Sequence, residues 1–431
     1  MTEPAFQSDF LQTLQARGYI HQITHPAELD AAAKGGIISA YIGFDATAPS
    51  LHVGSLIQIM MLRRLQQAGH RPIVLMGGGT TKVGDPTGKD ASRPQLTDET
   101  IQSNLDSIKQ VFSKFLTFGD GPSDAVMVNN DDWLSTYGYI QFLRDFGTQF
   151  TVNRMLAFDS VKLRLEREQP MTFLEFNYML MQSVDFLELN RKLGVTLQMG
   201  GSDQWGNIVS GVDLVRRVDQ KAAFGLTTPL LTTASGGKMG KTAQGAVWLN
   251  ADQLSPFDYW QFWRNAEDAD VGRFMRLFTD LPLDEIARYE ALQGAEINEA
   301  KKALADAATT MLHGPAAAEQ ARLEAEAVFE KNITIAVVSK DFPWRGTDEE
   351  IARNNGDPFT RRSASVLVRE AGLAPSIKQA ANLIKGGGVR INGEVVTDPE
   401  QKYEQDQVEQ PSGCFEVQSG KRGQIILVRP I

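Results

Sequence analysis

The chain has 431 residues, of which 42% are hydrophobic and 22% charged, and its formal net charge at pH 7 is −10. This is the composition of a globular protein of two or three domains, and the acidic balance argues against nucleic-acid binding along the whole chain. The single cysteine, Cys414, excludes an internal disulfide, and we find neither a signal peptide nor an apolar run long enough to span a membrane. We therefore expect a cytoplasmic protein.

The first hundred residues predict alternating helices and strands. An amphipathic helix over residues 8–24 is followed by a strand over Ile37–Phe44, a loop of small residues and a helix that ends near Gly69. The apolar run Arg71–Met76 then predicts a strand buried on both faces of a parallel sheet. Strand, helix and strand together form a βαβ unit, so we predict an α/β fold with a Rossmann-like parallel sheet.

The same alternation continues beyond this unit. A glycine-rich loop spans Gly77–Lys89, and a helix is predicted over Thr97–Phe115, followed by a possible short strand at Val126–Val128. Residues 138–190 have a largely helical pattern, and the apolar strand Val195–Met199 ends in a polar loop.

Composition divides the chain into four predicted segments. Residues 1–250 form the Rossmann-like domain, and residues 251–340, which are rich in Ala, Glu, Leu and Arg, predict a helical domain. The polar residues 341–362 predict a linker, and residues 363–431 predict a small α+β module. In that module we predict helices at Ala364–Ala371 and Ile377–Lys385, a hairpin turn at Asn392 and Gly393, and a last strand over Gln424–Arg429.

The C-terminal module differs in charge from the rest of the chain. From residue 361 onward the chain has ten Lys and Arg residues and eight Asp and Glu residues. The preceding 360 residues have 33 basic and 45 acidic side chains. A basic module fits contact with a polyanion, although a fluctuation in a short tail accounts for the charge equally well. If the module binds RNA, we expect contact through phosphates and shape, carried by the basic residues Arg361, Arg362, Lys378, Lys385 and Arg390.

Three predicted loops follow strands of the Rossmann-like domain, at residues 45–55, 77–93 and 200–207. Ligands of open parallel sheets bind outside the carboxyl ends of the strands, so the three loops predict one cleft. The first loop leads into a helix that begins near His52, and a helix N-terminus is a site for phosphate. An isolated histidine at such a position is more often a simple cap.

A helix around Tyr178 carries a second group of polar side chains. Tyr178, Gln182 and Asp185 are spaced so that all three face the same side of that helix. Gln198 ends the neighbouring strand, and Asp203 and Gln204 follow it. A phenol, amides and carboxylates together suit a zwitterionic amino acid or a ribose, while a satisfied core network is the structural alternative.

A lysine loop predicts a phosphate contact. Lys238 and Lys241, flanked by glycines and followed by Thr242, carry the charge needed at a leaving pyrophosphate, and Lys89 and Arg93 supply more. Neither a P-loop nor a G-x-G-x-x-G sequence is present, which argues against a GTPase-like enzyme and a dinucleotide dehydrogenase. The five histidines are scattered, so we predict no metal site of the His/Cys type.

Five motifs lie in these loops and helices. They are YIGFDATAPSLHVGS (41–55), GDPTGK (84–89), FNYMLMQSVDF (176–186), LQMGGSDQWGNI (197–208) and KMGKT (238–242). Together they closely resemble the motifs of the bacterial tyrosyl-tRNA synthetases, a group of class I aminoacyl-tRNA synthetases. The first and last look like the two class I signatures, and the middle three are similar to motifs specific for tyrosine. Residues 363–396 resemble an RNA-binding module shared with a ribosomal small-subunit protein.

The resemblance implies a reaction and its partners. It implies that tyrosine and Mg-ATP form tyrosyl-adenylate and pyrophosphate, that tyrosine then passes to the 3′ end of tRNA, and that the enzyme is a homodimer. No tightly bound prosthetic group is implied. Tyr41 and Asp185 would bind the phenolic hydroxyl of tyrosine. The residues implied for its ammonium group are Asp85, Tyr178 and Gln182, with Gln198 and Gln204 nearby.

The resemblance also implies the residues that bind ATP. Asp203 would hold the ribose, and Thr47 and His52 would stabilise the departing pyrophosphate. The residues implied to seat the nucleotide are Gly43, Asp45, His52, Gly54 and Ser55. Those implied to assist at the phosphates are Lys89, Arg93, Lys238, Lys241 and Thr242.

Three positions depart from the pattern of the resemblance. Ile42 stands where a cysteine is frequent, Ser55 where a second histidine is common, and Gly240 where a serine is usual in the lysine loop. We expect a shorter or water-mediated contact from Ser55 and a more flexible loop at Gly240. Two alternatives share the scaffold: a tryptophanyl-tRNA synthetase, and a non-catalytic RNA-binding or splicing protein.

Overall fold

The structure is a computed structural model that describes residues 6–86, 96–237, 239–242, 245–330, 340–342, 361–404, 407, 414–419 and 425–430. The chain divides into two compact units, residues 1–319 and residues 320–431. Within the described ranges, no helix is both long and apolar enough to cross a lipid bilayer. The prediction of a mixed α/β fold is confirmed, whereas the division into four segments stays a prediction.

Six strands form the central sheet of the first unit: β1 (Gln22–Ile23), β2 (Ser39–Asp45), β3 (Arg71–Gly77), β4 (Val126–Asn129), β5 (Val195–Gly201) and β6 (Phe224–Thr228). They lie in the order β1-β6-β5-β2-β3-β4. Strands β2 to β6 are parallel, and β1 joins the edge antiparallel to β6. The chain therefore moves outward from the β2–β5 pair in both directions, which makes that pair the point where the strand order reverses.

The sequence predictions of the sheet are largely confirmed, with two differences. The helix predicted over residues 8–24 ends at Arg17, because Gly18 adopts a left-handed φ of 82° and its amide caps the helix. Near the end of the predicted helix, Gln22 and Ile23 instead form the short strand β1. The strand β6 was not predicted at all, although all five of its residues are buried.

In the first unit, helices pack against the central sheet. α3 contacts β2 and β3, while α11 and α12 contact each other and β5. Short 3-10 turns occur at Gly147–Gln149, Ser202–Gln204, Asp268–Asp270 and Gly294–Glu296. The helices of the first unit are α1 (Asp9–Arg17), α2 (Pro26–Gly35), α3 (Val53–Gln67), α4 (Gly78–Thr81), α5 (Asp98–Phe115), α6 (Asp131–Leu134), α7 (Tyr139–Asp145), α8 (Val152–Leu156), α9 (Asp159–Glu166), α10 (Phe173–Phe176), α11 (Tyr178–Leu193), α12 (Trp205–Val218), α13 (Pro256–Arg264), α14 (Val271–Phe278), α15 (Leu283–Glu290) and α16 (Ile297–His313), and α17 (Pro315–Glu330) begins in the first unit and ends in the second.

Buried arginines join α1 and α3 to the loop after α14. Arg17 donates to the carbonyls of Arg276 and Thr279, each at 3.1 Å, and Arg64 donates to Asp280 at 2.6 Å. Burial raises the pKa of the Asp280 carboxyl, but Arg63 and Arg64, which both bind it, hold that pKa at about 2. The first signature motif (residues 41–55) runs into the N-terminus of α3, and the Arg64 contacts hold the C-terminal end of the same helix.

The second unit contains a five-stranded sheet in the order β12-β11-β14-β15-β9, and a separate pair of β10 and β13. Asn392 and Gly393 have positive φ values of 50° and 79°, as a type I′ hairpin turn requires, which confirms the predicted turn between β11 and β12. The remaining elements are β7 (Lys241–Thr242) and β8 (Gly245–Ala246) of the first unit, and β9 (Lys340–Phe342), β10 (Arg361–Ser363), α18 (Ala364–Glu370), α19 (Ile377–Lys385), β11 (Val389–Ile391), β12 (Glu394–Val396), β13 (Lys402–Glu404), β14 (Phe415–Ser419) and β15 (Ile425–Pro430).

Candidate active site

A cleft of about 530 Å³ opens at the carboxyl ends of β2 and β5, where the strand order reverses. Its walls come from all three predicted loops and from α11. The described residues that line the cleft include four aspartates and no lysine or arginine. This negative lining favours a cationic group of the ligand. The aspartates are Asp45, Asp85, Asp185 and Asp203.

The deep end of the cleft is formed by Tyr41 on β2 and Asp185 on α11, both 1% exposed. One oxygen of Asp185 accepts from Trp133 Nε1 at 2.8 Å, and the other accepts from Asn130 Nδ2 at 3.0 Å. Burial raises the pKa of the Asp185 carboxyl to about 7, although these two donors oppose the rise. Burial and the neighbouring Asp185 raise the pKa of Tyr41 well above its usual value, so its phenol stays protonated.

Three buried polar atoms in this cleft have no hydrogen-bond partner within the part of the chain that the structure describes. They are Tyr41 Oη, Gln182 Oε1 and Gln198 Oε1. Tyr41 and Gln198 are paired across β2 and β5, so two of these atoms belong to adjacent strands. An unsatisfied buried polar group is costly, and a cluster of them facing one cavity indicates a polar ligand.

Two carboxylates define the middle of the cleft. Asp45 accepts from Thr80 Oγ1 at 2.8 Å and from Tyr178 Oη at 3.1 Å. Asp85 accepts from Gln204 Nε2 at 2.8 Å. Burial and then Asp45 raise the pKa of Tyr178 well above its usual value. The structure thus pairs Tyr178 with Asp45, which the resemblance had placed with ATP.

Asn130 connects the deep end of the cleft to its middle and was not singled out in the sequence. Its amide nitrogen donates both to Asp185 and, at 3.0 Å, to Thr80 Oγ1, and its oxygen accepts from the amide of Gly79 at 2.8 Å. A continuous hydrogen-bonded chain therefore runs from Asp185 through Asn130 and Thr80 to Asp45. The available signal was the polar run at residues 129–132, which begins at the last residue of β4, at the same edge of the sheet as the other loops.

The first signature motif forms the rim of the cleft. His52 caps the N-terminus of α3, and its Nδ1 accepts from the Gly54 amide at 3.0 Å. Buried side chains hold the preceding loop, because Thr81 Oγ1 accepts from the Ala46 amide and Asn104 donates to the Ala46 carbonyl, both at 2.8 Å. Thr47, Gly54 and Ser55 of the motif also line the cleft at its rim, whereas Gly43 lines it from within β2, between Tyr41 and Asp45.

Several predicted site residues fall outside what the structure describes. Lys89, Arg93 and Lys238 are outside the described residues, as are the side chains of Lys241, Thr242 and Arg361. In the second unit Lys378 and Lys385 are exposed on α19, and Arg390 donates to the Gly393 carbonyl at 2.8 Å. The RNA-binding residues, which include the half-buried Arg362, stay predictions.

Comparison with known proteins places this geometry in a family. A model of the class I tRNA synthetases for tryptophan and tyrosine matches residues 34–330. The chain belongs to this family. A second model, of the S4 domain, matches residues 365–408, so the synthetase fold is followed by an S4 RNA-binding domain.

Individual relatives of this synthetase cover nearly all of the chain. The tyrosine–tRNA ligase of Caulobacter sp. strain K31 is 68% identical over 428 residues, which are 99% of each chain. The tyrosine–tRNA ligase of Caulobacter vibrioides strain NA1000 is 67% identical over the same share of each chain. Among solved structures, a C-terminally truncated mitochondrial tyrosyl-tRNA synthetase from Aspergillus nidulans matches with a TM-score of 0.68 and 31% identity, covering 75% of this chain and 95% of its own.

Proposed function

We propose that this synthetase is a tyrosine–tRNA ligase, which activates L-tyrosine with Mg-ATP and transfers it to the 3′ end of tRNA(Tyr). The observation that carries the proposal is the Tyr41 hydroxyl, which has no hydrogen-bond partner among the described residues and lies beside the Asp185 carboxyl at the deep end of the cleft. A phenolic hydroxyl satisfies both groups, since it donates to the carboxylate and accepts from Tyr41. The indole of tryptophan carries a donor but no acceptor, so it leaves Tyr41 unsatisfied.

The middle of the cleft suits the α-ammonium group of the amino acid. Asp45 and Asp85 supply negative charge there, and Tyr178, Gln182 and Gln204 supply the polar surroundings. With the phenol and the ammonium group both held, the carboxylate of tyrosine points toward the rim of the cleft. Because tyrosine is held at its phenol and at its ammonium group, its carboxylate is fixed for an in-line attack on the α-phosphate of ATP. Such an attack needs positioning and no strong base.

The rim of the cleft suits the phosphates of ATP. His52 and Gly54 lie at the start of α3, where backbone amides and the helix dipole favour negative charge. We assign Thr47 and His52 to the departing pyrophosphate, the ribose to Asp203, and the remaining phosphate charge to Mg²⁺ bound with ATP and to Lys89, Arg93, Lys238 and Lys241.

Amino-acid-dependent exchange of pyrophosphate into ATP tests this function directly. We expect exchange with tyrosine and none above background with tryptophan. Exchange that depends on tryptophan favours the sister enzyme of the same family. Absence of exchange with every amino acid favours a non-catalytic RNA-binding protein and contradicts the proposal.

We further propose that the enzyme is a cytoplasmic homodimer and that the segment 139–174 forms the subunit contact. Eight of the fifteen large apolar side chains exposed among the described residues lie in this segment, including Ile140 at 67% and Phe173 at 66%. Exposed apolar surface of this extent marks an interaction site, and a two-fold dimer buries the same patch on both copies.

Substitution of Ile140 with aspartate is expected to weaken dimerisation by about 2–4 kcal/mol, the cost of disrupting a central apolar contact. Sedimentation equilibrium measures the dissociation constant. The control is Leu283→Asp, which places the same charge on an apolar side chain 40% exposed on α15, outside the segment. An equal effect of both substitutions, or a monomeric wild-type protein, would rule out this interface.

A further inference from the structure

The two class I signature motifs are joined by a short segment that neither motif contains. Residues 247–250 run antiparallel to residues 50–53 of the first signature. The Val53 amide donates to the Val247 carbonyl, and the Leu249 amide donates to the Leu51 carbonyl, both at 2.9 Å. Between these two hydrogen bonds, Trp248 forms a bridge with His52.

The same segment also holds the second signature. The Val247 amide donates to the Gly240 carbonyl at 3.1 Å, so one residue binds the backbones of both signatures. Beside Gly240, the Met239 amide donates to the Leu231 carbonyl at 3.2 Å, and the Met239 side chain is buried against the cleft. The lysine loop is thus anchored at its centre, between its two lysines.

Gly240 touches the first signature directly. Its φ is +83°, and a Cβ placed on it would lie 2.9 Å from the Gly54 amide nitrogen and 3.4 Å from His52 Nδ1. Gly54 has no more room for a side chain than Gly240, because a Cβ on Gly54 would lie 2.6 Å from the His52 ring. Backbone therefore packs on backbone here, and a side chain at position 240 would push on the two atoms whose hydrogen bond orients the imidazole.

We propose that Gly240 is a positioning residue that sets the spacing between the lysine loop and the N-terminus of α3. Its missing side chain lets the loop rest on the Gly54 amide, so that His52 and the lysines at positions 238 and 241 act on the same phosphate groups. This proposal rests on the proposed function. It gives the departure at position 240 a steric reason in addition to the flexibility expected from the sequence.

Gly236 provides a matched control in the same loop. It also has a left-handed φ, of +87°, but a Cβ on it would meet no atom within 4 Å. Gly240→Ala and Gly236→Ala therefore introduce the same kind of backbone strain, and only the first introduces the contact with Gly54. A second pair, Gly240→Asn and Gly236→Asn, reduces the strain, since asparagine tolerates this backbone conformation, and keeps the contact.

The experiment measures tyrosine-dependent pyrophosphate exchange and thermal unfolding of the four full-length variants. For Gly240→Ala we expect kcat to fall by about 10- to 100-fold with the KM for tyrosine unchanged, as for a small misplacement of reacting groups. We expect Gly236→Ala to stay within about threefold of wild type, since it keeps the spacing of those groups. Gly240→Asn should likewise have a lower kcat than Gly236→Asn. If Gly240→Ala unfolds at a lower temperature than Gly236→Ala, the kcat values of the asparagine pair decide whether position 240 acts through its contact with Gly54.

Equal kcat values within both pairs would overturn the role of Gly240 and leave the proposed function intact. A rise in the KM for tyrosine would also overturn it, because the tyrosine pocket lies at the other end of the cleft. Absence of exchange in the wild-type protein would instead contradict the proposed function itself.

Discussion

Replacing Asp185 with asparagine is expected to lower kcat/KM for tyrosine by about 10- to 100-fold, the effect of losing a hydrogen bond of about 1.5–3 kcal/mol to a buried charge. The substitution keeps the shape of the side chain and removes the carboxylate that accepts the phenolic proton. Phenylalanine makes no such bond, so its kcat/KM should change little and the preference for tyrosine should shrink. Pyrophosphate exchange with each amino acid measures both values.

The control for this experiment is Glu188→Gln, one turn further along α11. Glu188 is buried and accepts from Tyr137 Oη at 2.9 Å, but it does not line the cleft. We expect wild-type selectivity from it. Equal kinetics of Asp185→Asn and wild type with both amino acids would remove Asp185 from the pocket.

The pH dependence of tyrosine binding gives the same residue a second test. Because burial raises the pKa of Asp185 to about 7, the carboxylate becomes ionised as the pH rises from 6 to 8. The ionised carboxylate accepts the hydrogen bond of the phenol O–H more strongly than the neutral acid, so the KM for tyrosine should fall over this range. Asp185→Asn should show no such change.

Deleting residues 363–431 is expected to separate the two steps of the reaction. The cleft lies entirely within the first compact unit, so adenylate formation should remain within about twofold of wild type, as expected for an unchanged reacting geometry. Charging of tRNA should fall by about 100-fold or more at physiological salt, because several phosphate contacts are lost. Pyrophosphate exchange and aminoacylation, measured on the same preparation, report the two steps.

The full-length control for this deletion is the double substitution Lys378→Glu and Lys385→Glu. Both side chains are exposed on α19, so reversal of their charge should weaken tRNA charging while the S4 domain stays folded. The KM for tRNA of the wild-type protein should also rise with salt concentration. Equal loss of adenylate formation and charging on deletion would contradict the modular organisation.

The sheet was predictable where the strands are long and apolar. β2, β3 and β5 each have seven residues, and their apolar runs are visible in the sequence. β1 has only two residues and gains its place from antiparallel pairing with β6, a contact between positions about 200 residues apart that no local pattern encodes. The overlong first helix has a related cause, since the effect of Gly18 as a cap depends on its left-handed backbone.

Residues of the site could be predicted from the sequence where helical spacing places them on one face of a single helix. Tyr178, Gln182 and Asp185 lie on one face of α11, and all three line the cleft. Asn130 and Trp133 could not be identified in the same way, because they reach Asp185 from a different element more than 50 residues away. Their importance comes from the buried charge that they stabilise, and burial is a property of the fold.

Gly43 leaves a gap in the row of cleft-facing side chains on β2. Tyr41, Gly43 and Asp45 alternate onto the same face of the strand, so the gap lies between the residues proposed to contact the phenol and the ammonium group of tyrosine. A Cβ at position 43 would meet only Leu75 Cδ2, at the ordinary distance of 3.8 Å. The free fold can therefore accommodate an alanine there, and under the proposed assignment it is the bound tyrosine that would lose space. Under the proposed assignment the substrate, rather than the stability of the protein, limits which residue the chain can carry at position 43.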